Sequence, residues 1–171
     1  MALNRYTLIS LICTRSMAGS ETTASALTGI TYYVCRNPST YRALTHEIRS
    51  AFTDYSQING QATEALPYLK AVINEALRIY PPAPGSFPRI SPGETVDGIY
   101  LPAGTTTYVT IIAAHHNEKN FKRPKDFIPE RWLGDERFKH DKLEASQAFS
   151  VGPRGCIGKK YVHQSVKQVN G

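Results

Sequence analysis

The sequence predicts a mainly α-helical protein with a small β region. No proline occurs before Pro38, so the first part of the chain can form long helices. Six of the 11 prolines fall between Pro81 and Pro102, mixed with glycines, which is typical of short strands separated by turns. The chain has 171 residues, of which 41% are hydrophobic, enough to bury a core of ordinary size.

Three helices are predicted in the first half of the chain. The first covers residues 7–36 and stops before Asn37-Pro38. Asn37 and the residues after it offer caps for a second helix, whose apolar residues recur at helical spacing: Tyr41, Leu44, Ile48 and Phe52. The third covers about residues 66–79, and its apolar face consists of Leu69, Val72, Ile73, Ala76 and Leu77.

Beyond Pro81 the pattern changes to short strands and then to irregular chain. Strands are predicted at residues 87–90, 95–96, 100–101 and 106–112. Residues 117–150 are expected to be mostly irregular, and loops of that length are usually functional. A last helix is predicted to begin near Ile157.

The excess positive charge lies entirely near the carboxyl end. Residues 119–171 contain 12 Lys or Arg against 6 Asp or Glu, which accounts for the whole net charge of +6. Because acidic residues are interleaved with the basic ones, we do not expect a nucleic-acid partner. No apolar stretch approaches the roughly 20 residues that span a bilayer, so no membrane helix is predicted. Cys13, Cys35 and Cys156 form neither an even disulfide framework nor a C-x-x-C pair, which favours reduced thiols.

The strongest local signal is a glycine-rich loop at residues 149–158 that brings Cys156 to the start of a helix. Exposed amides and the helix dipole would stabilise a thiolate there, so Cys156 is predicted to be a metal ligand or a nucleophile. The surrounding glycines would let a flat ligand approach the backbone closely. The alternative is a buried cysteine in a turn.

This loop resembles the cysteine-ligand loop of the cytochrome P-450 family of haem-thiolate monooxygenases, whose pattern is F-x-x-G-x-R-x-C-x-G. The resemblance implies that Cys156 is the axial ligand of the haem iron. It also implies that Phe149 packs under the haem, that Arg154 reaches a haem propionate, and that Gly158 belongs to the haem-binding loop.

Two further segments resemble structural motifs of the same family. Glu75 and Arg78 form an E-x-x-R, in which acid and base lie on one helix face and can pair. Many solvated helices carry such a pair, but here the neighbours are mostly apolar. The segment Pro129-Glu130-Arg131-Trp132 resembles the one that supplies a second arginine. The resemblance implies a structural network of Glu75, Arg78 and Arg131.

Residues 18–23 of the first helix place small residues before Glu21 and Thr22. Such a segment can open the helical hydrogen-bond ladder and kink the helix, although by itself an ordinary Ser/Thr-rich turn is favoured. It resembles the family's acid–alcohol motif on the distal side of the haem. The resemblance implies that Glu21 and Thr22 relay protons during the reduction of dioxygen.

Two other positions carry weaker signals. Pro88-Arg89 resembles the strand arginine that meets a haem propionate, and an exposed strand arginine is the alternative. Adjacent histidines such as His115 and His116 do not share one face of a strand or helix, so no metal site is predicted there. His115 matches the family's A-x-H stretch and is predicted to be structural.

The resemblance runs from about residue 17 to residue 158. Residues 1–171 are therefore expected to form a single partial domain, the C-terminal part of the family fold, with atypical ends at residues 1–16 and 159–171 and a truncated last helix. A truncated or mis-assembled reading frame is the hypothesis for these ends. The amino-acid sequence most resembles that of filamentous-fungal members that act in secondary metabolism. Full-length relatives are expected on the cytosolic face of the endoplasmic reticulum membrane, whereas the location of this chain is not predicted.

The function implied by the resemblance is haem-dependent monooxygenation. One atom of dioxygen would enter a small lipophilic organic substrate and the other would leave as water, with electrons from a reductase. Candidates for docking that reductase are Lys139, Lys142, Lys159 and Lys160. The alternative is a catalytically inactive fragment that binds haem weakly or not at all, or that acts only as an interaction module.

Overall fold

The computed structural model describes residues 5–85 and 87–159 of the chain, and the side chains of α1 from Ser16 onward. Four α-helices and four short strands are present in these residues. The helices are α1 (Arg5–Arg36), α2 (Pro38–Ala51), α3 (Pro67–Ile79) and α4 (Ile111–His115). The strands are β1 (Arg89–Ile90), β2 (Glu94–Val96), β3 (Ile99–Leu101) and β4 (Thr106–Thr107). The prediction of a mainly helical fold with a small β region is confirmed.

The boundary between α1 and α2 lies where the proline predicts it. Pro38 occupies the first turn of α2, where a missing N–H costs nothing and the fixed φ suits a helix. Asn37 occupies the predicted N-cap position of α2, but its side chain makes no capping hydrogen bond to that helix. The Asn37 amide instead donates to the carbonyl of Tyr33 at 2.6 Å, in the last turn of α1.

Helix α3 is the centre of the hydrophobic core. The apolar face predicted for α3 is buried, and it packs against buried residues of α1 and α2 and against Leu66, which precedes α3. Together they form one cluster: Ala26, Ile30, Val34, Leu44, Leu66, Leu69, Val72, Ile73, Ala76 and Leu77. The carboxylate of Glu47 in α2 caps α3, since its two oxygens accept from the backbone amides of Tyr68 and Leu69 at 2.8 Å each. A negative charge at this end of a helix is favoured by the helix dipole.

The strands form two small antiparallel pairs. Strand β1 pairs with β4, and β2 pairs with β3 across Asp97 and Gly98. Both of these turn residues have positive φ, as a two-residue hairpin turn of the primed type requires.

The strand predicted at residues 106–112 is partly wrong. Strand β4 ends at Thr107, and helix α4 takes the following residues. The β-branched Ile111 and Ile112 favour a strand locally. Tertiary contacts override that preference, because the rings of His115 and His116 each hydrogen-bond to a carbonyl at the end of α3.

Residues 117–150 contain no α-helix or strand, as predicted. Short 3-10 turns at Pro129–Leu133, Glu136–Phe138 and Leu143–Ala145 punctuate this segment, which we call the meander. The meander packs against α3, and Phe127 stacks on Tyr33 of α1 with ring centroids 5.2 Å apart. The predicted last helix falls mostly on residues 160–171, which lie outside the described residues. Over the part of the chain that is described, no helix has the length and apolar character needed to cross a bilayer.

Candidate functional site

The Glu75 carboxylate is fully buried between α3 and the meander and accepts five hydrogen bonds. Arg78 contributes two of them, from Nε and Nη2, both at 2.8 Å. The other three come from the meander: the Ile128 amide at 2.9 Å, Arg131 Nε at 3.0 Å and Trp132 Nε1 at 2.9 Å. Each oxygen of this buried charge is therefore satisfied by donors.

The two arginines that meet Glu75 also hold the meander backbone. Arg78 donates to the carbonyls of His115, Pro124 and Asp126, at 2.9, 2.7 and 3.1 Å. Arg131 donates to the carbonyls of Lys122 and Arg123, at 3.2 and 3.4 Å. The chain from His115 to Asp126 is thus tied to α3 at several points.

Asp141 completes this cluster. Its carboxylate forms an ion pair with Arg131, and its other oxygen accepts from the Lys122 amide at 2.7 Å. Two carboxylates therefore balance two guanidinium groups in the buried interior. Burial favours the protonated form of Glu75, but the hydrogen bonds and charges of Arg78 and Arg131 outweigh it and hold the pKa of Glu75 below its ordinary value.

Aromatic rings line the remaining sides of the two guanidinium groups. The Phe121 ring centroid lies 5.0 Å from Arg78 and 5.9 Å from Arg131, and Phe138 lies 4.8 Å from Arg131. These are cation–π distances, and such contacts gain strength when the cation is desolvated.

His115 is fully buried beside the same cluster. Its Nδ1 lies 2.9 Å from the Arg78 carbonyl, and its Nε2 accepts from the Gln147 amide at 2.9 Å. Burial, together with the charge of Arg78, lowers the pKa of His115 to about 4, so the ring is neutral near pH 7. Both ring nitrogens are thus engaged by the backbone.

The cysteine loop is closed by two backbone hydrogen bonds. The Cys156 amide donates to the Phe149 carbonyl at 2.8 Å, and the Gly155 amide donates to the Gly152 carbonyl at 2.9 Å. Ser150 and Gly152 have φ of +58° and +70°, in the left-handed region that glycine adopts most readily. A Cβ at Gly155 would approach the Gly152 carbonyl oxygen to 3.2 Å, which is tighter than an ordinary contact.

The thiol of Cys156 is exposed and free, so the alternative of a buried cysteine in a turn is wrong. Gly158 lies beside the sulfur, since a Cβ built at Gly158 would lie 3.8 Å from Sγ, an ordinary van der Waals distance. Phe149 is partly buried against the core, and Lys159 Nζ lies 5.9 Å from its ring centroid.

Arg154 and Arg89, the two arginines that the resemblance assigns to haem propionates, are both exposed. Arg154 lies in the loop itself, and Arg89 begins β1, where its Nη1 donates to the carbonyls of Phe87 and Pro88 at 3.0 and 3.1 Å. Among the described residues, no carboxylate lies within ion-pair distance of either guanidinium. A thiolate is a suitable ligand for iron, and two arginines without a carboxylate partner are suited to bind the two propionate carboxylates of haem. The donor set therefore fits the haem that the sequence resemblance implies.

The acid–alcohol segment lies on an unbroken stretch of α1. The hydroxyls of Ser20, Thr22 and Thr23 each donate to the carbonyl four residues earlier at 2.6 Å. Helical geometry continues through the segment, so α1 is not interrupted there. Glu21 is exposed, whereas Thr22 is partly buried.

Thr22 shares one face of α1 with Ala26 and Ile30, which lie one and two turns further along. Both of these residues are buried in the core cluster against which Phe149 also packs. The core thus links this face of α1 to the cysteine loop. No hydrogen bond or ion pair described for the chain joins Glu21 or Thr22 directly to Cys156.

Asp141 and Trp132 carry contacts of the cluster that sequence reasoning did not predict. Trp132 follows Arg131 directly, and an indole that needs a partner for its N–H was an available signal. Asp141 has no comparable signal, because it is one of several acidic residues in an irregular segment.

Comparison with known proteins gives a consistent result. A family model described as cytochrome P-450 matches residues 2–168. The chain is 53% identical over 159 residues to cytochrome P-450 monooxygenase aba2 of Botryotinia fuckeliana, covering 92% of this chain and 29% of that protein. It is 46% identical to cytochrome P-450 monooxygenase aclL of Aspergillus oryzae, covering 90% and 32%. It is 41% identical to averantin hydroxylase of Dothistroma septosporum, covering 98% and 32%. The chain spans about a third of the length of these curated relatives.

Proposed function

Because this chain belongs to the cytochrome P-450 family, we propose that it carries the haem-ligand part of a monooxygenase. In such a protein one atom of dioxygen is inserted into an organic substrate and the other is reduced to water. The observation that carries the proposal is the free, exposed thiol of Cys156, held on a loop whose closing hydrogen bond runs from its own amide to Phe149.

Five residues would hold the haem. Cys156 supplies the thiolate for the iron, and Arg154 and Arg89 supply cations for the two propionates. Phe149 and Gly158 complete the binding surface beside the sulfur. When bound, thiolate-ligated haem supplies the reductive activation of dioxygen. The protein contributes a fixed ligand, charge balance and access.

Glu21 and Thr22 would transfer protons during the reduction of dioxygen. The Thr22 hydroxyl donates to the Ala18 carbonyl at 2.6 Å, which leaves its lone pairs able to accept a proton from a water or an acid. Glu21 is exposed and can exchange protons with solvent. Because adjacent residues of a helix do not face each other, a proton from Glu21 would reach Thr22 Oγ1 through a water. The Thr22 hydroxyl, turned away from the Ala18 carbonyl, would then give its own proton to the dioxygen that is being reduced.

The substrate would be a small lipophilic molecule, and the fungal relatives favour a secondary metabolite. Large apolar side chains flank Arg89 on both sides: Phe87 is 68% and Ile90 is 73% exposed. Exposed apolar side chains of this size are suited to contact an apolar ligand or another part of a protein.

A reductase would dock on the basic side of the chain. Lys142 and Lys159 are exposed, whereas Lys139 forms an exposed ion pair with Glu136 at 3.0 Å. Since the charge of Lys139 is partly neutralised by Glu136, Lys142 and Lys159 are the better docking candidates. Lys160 lies outside the described residues.

Haem loading of the expressed chain tests the proposal. After reduction and exposure to carbon monoxide, the protein should show the red-shifted Soret band of thiolate-ligated haem. The substitution Cys156→Ala should abolish that band, and the control Cys35→Ala should retain it, because Cys35 is an exposed thiol at the end of α1. Absence of the band in the unsubstituted chain, or its persistence in Cys156→Ala, would contradict the proposal.

A further inference from the structure

His115 is a buried polar residue that the haem chemistry described above does not use. It ends α4 and lies between the last turn of α3 and the segment that enters the cysteine loop. Its contacts with α3 are reciprocal, because the His115 carbonyl accepts from Arg78 Nη1 while its ring contacts the Arg78 carbonyl. His115 is therefore fixed to α3 through both backbone and side chain.

The two neighbours of the ring determine its tautomer. A backbone carbonyl can only accept, so Nδ1 must carry the hydrogen that it shares with Arg78. A backbone amide can only donate, so Nε2 must be unprotonated opposite Gln147. The ring thus acts as a bridge with a defined direction, from the carbonyl of α3 to the amide of Gln147.

A short series of backbone contacts leads from Gln147 to Cys156. The Gln147 carbonyl accepts from the Ser150 amide at 2.9 Å, which closes a turn. Phe149, inside that turn, accepts from the Cys156 amide at 2.8 Å. The position of Gln147 therefore determines where the turn lies, and the turn holds the amide of Cys156.

We propose that His115 is a positioning residue for Cys156. By accepting from the Gln147 amide, its Nε2 fixes the position of Gln147 and of the turn that leads into the cysteine loop. The proposal rests on the proposed function only in taking Cys156 as the haem ligand. Its structural part, the dependence of the loop on one acceptor atom, is independent of haem. Without that acceptor, the Gln147 amide would lose its partner, which costs more than an exchange of partners.

Two substitutions separate the acceptor from the donor. In His115→Gln the side-chain amide reaches about as far as Nε2 and can supply an acceptor to Gln147. In His115→Asn it reaches about as far as Nδ1 and can supply only the donor to Arg78. A residue with a merely structural role would respond to both changes alike, whereas the proposal predicts that Gln rescues the loop and Asn does not.

Amide hydrogen exchange of the haem-free chain, resolved by NMR, reads out the loop directly. We expect the amides of Gln147, Ser150 and Cys156 to exchange at least about fivefold faster in His115→Asn, as loss of one hydrogen bond would cause. In His115→Gln these amides should keep nearly the original rates. The matched control is His116→Asn, because His116 contacts the Ile79 carbonyl on the same helix and makes no described contact with the loop.

The haem-loaded chain gives a second readout. The ferrous carbon-monoxide band should shift or lose intensity in His115→Asn and should be restored in His115→Gln. Equal exchange rates in the two His115 variants, or faster exchange of the loop in His116→Asn, would overturn the proposal. If the unsubstituted chain shows no thiolate band, the proposed function fails, but the exchange experiment still decides the role of His115.

Discussion

The chain contains two pairs of arginines that differ in how their charges are partnered. Arg78 and Arg131 are buried, bind Glu75 together and donate to five backbone carbonyls. Arg89 and Arg154 are exposed, and no described carboxylate lies within ion-pair distance of either. The first pair is fully used in holding the chain together, while the second pair is available to a ligand.

The difference separates two regions by their role. In the buried region, made of α3 and the meander, the two arginines are neutralised by carboxylates of the chain itself, so no ligand is required to balance their charge. The second region, which we call the open region, consists of two exposed segments, β1 and the cysteine loop, and these segments expose a thiol, two arginines and large apolar side chains. Substitutions in the first region should therefore change stability, and substitutions in the second should change ligand binding.

The largest effect is expected for Glu75→Gln. The substitution leaves two buried guanidinium groups with one carboxylate, and breaking a buried pair in this way costs about 3–5 kcal/mol. Urea unfolding followed by circular dichroism measures the change. The control Glu136→Gln removes the partner of an exposed pair with Lys139 and should change little. A small effect of Glu75→Gln would mean that the cluster is hydrated in solution.

Acid should weaken the buried region in two steps. His115 has a pKa of about 4 in the folded chain against 6.5 for the free group, so the unfolded chain binds its proton first. Stability is complete above pH 6.5 and falls between pH 6.5 and 4, by about 3 kcal/mol. The pKa of Glu75 is also lowered, so its contribution is lost at still lower pH, below its ordinary pKa of 4.5.

Unfolding midpoints across this pH range, for the unsubstituted chain and His115→Gln, test this prediction. The charged and titratable neighbours of the ring are Arg78 and His116. His115→Gln should remove the step between pH 6.5 and 4 and leave the step at lower pH. An unchanged profile would assign the upper step to another group.

A smaller effect is expected where α1 passes beside Tyr80. A Cβ at Gly29 would lie 2.7 Å from Cδ1 of the Tyr80 ring, so Gly29→Ala must displace that ring, at a cost of about 1–3 kcal/mol. A Cβ at Gly19, on the same helix, would have no heavy atom within 4 Å, and Gly19→Ala should stabilise by up to about 1 kcal/mol. Thermal unfolding of both variants measures the contrast, and equal signs would contradict it.

The smallest change in stability is expected in the open region. Arg89→Gln and Arg154→Gln should alter the free energy of unfolding by no more than about 0.5 kcal/mol, because both side chains are exposed. Haem titration should nevertheless show weaker binding in each variant and weaker still in the double variant. Unchanged haem affinity in the double variant would remove these two residues from the proposed site.

The elements of the buried region that follow from local signals were predictable. The absence of proline before Pro38 and the apolar face of α3 indicate the three long helices. Helix α4 was not predictable, because Ile111 and Ile112 favour a strand and only contacts with α3 override them. The pairing of Arg131 with Asp141 was not predictable either, since ion pairs between irregular segments leave no periodic trace.

The site divides in the same way. The cysteine loop could be identified because its phenylalanine, glycines, arginine and cysteine have the spacing of the pattern F-x-x-G-x-R-x-C-x-G. The bridge from His115 to Gln147 spans 32 residues of mostly irregular chain. Neither residue has a neighbour in sequence that indicates the other, so this contact required the folded structure.

The five hydrogen bonds of Glu75 also bear on the order in which the chain folds. Three of the donors lie 53, 56 and 57 residues further along the chain, at Ile128, Arg131 and Trp132. Until they arrive, the carboxylate on α3 keeps its water and resists burial. Closing a loop of that length costs entropy that only the contacts formed at its end can offset. Helix α3 can therefore form early, but the core around it becomes dry only when the meander docks.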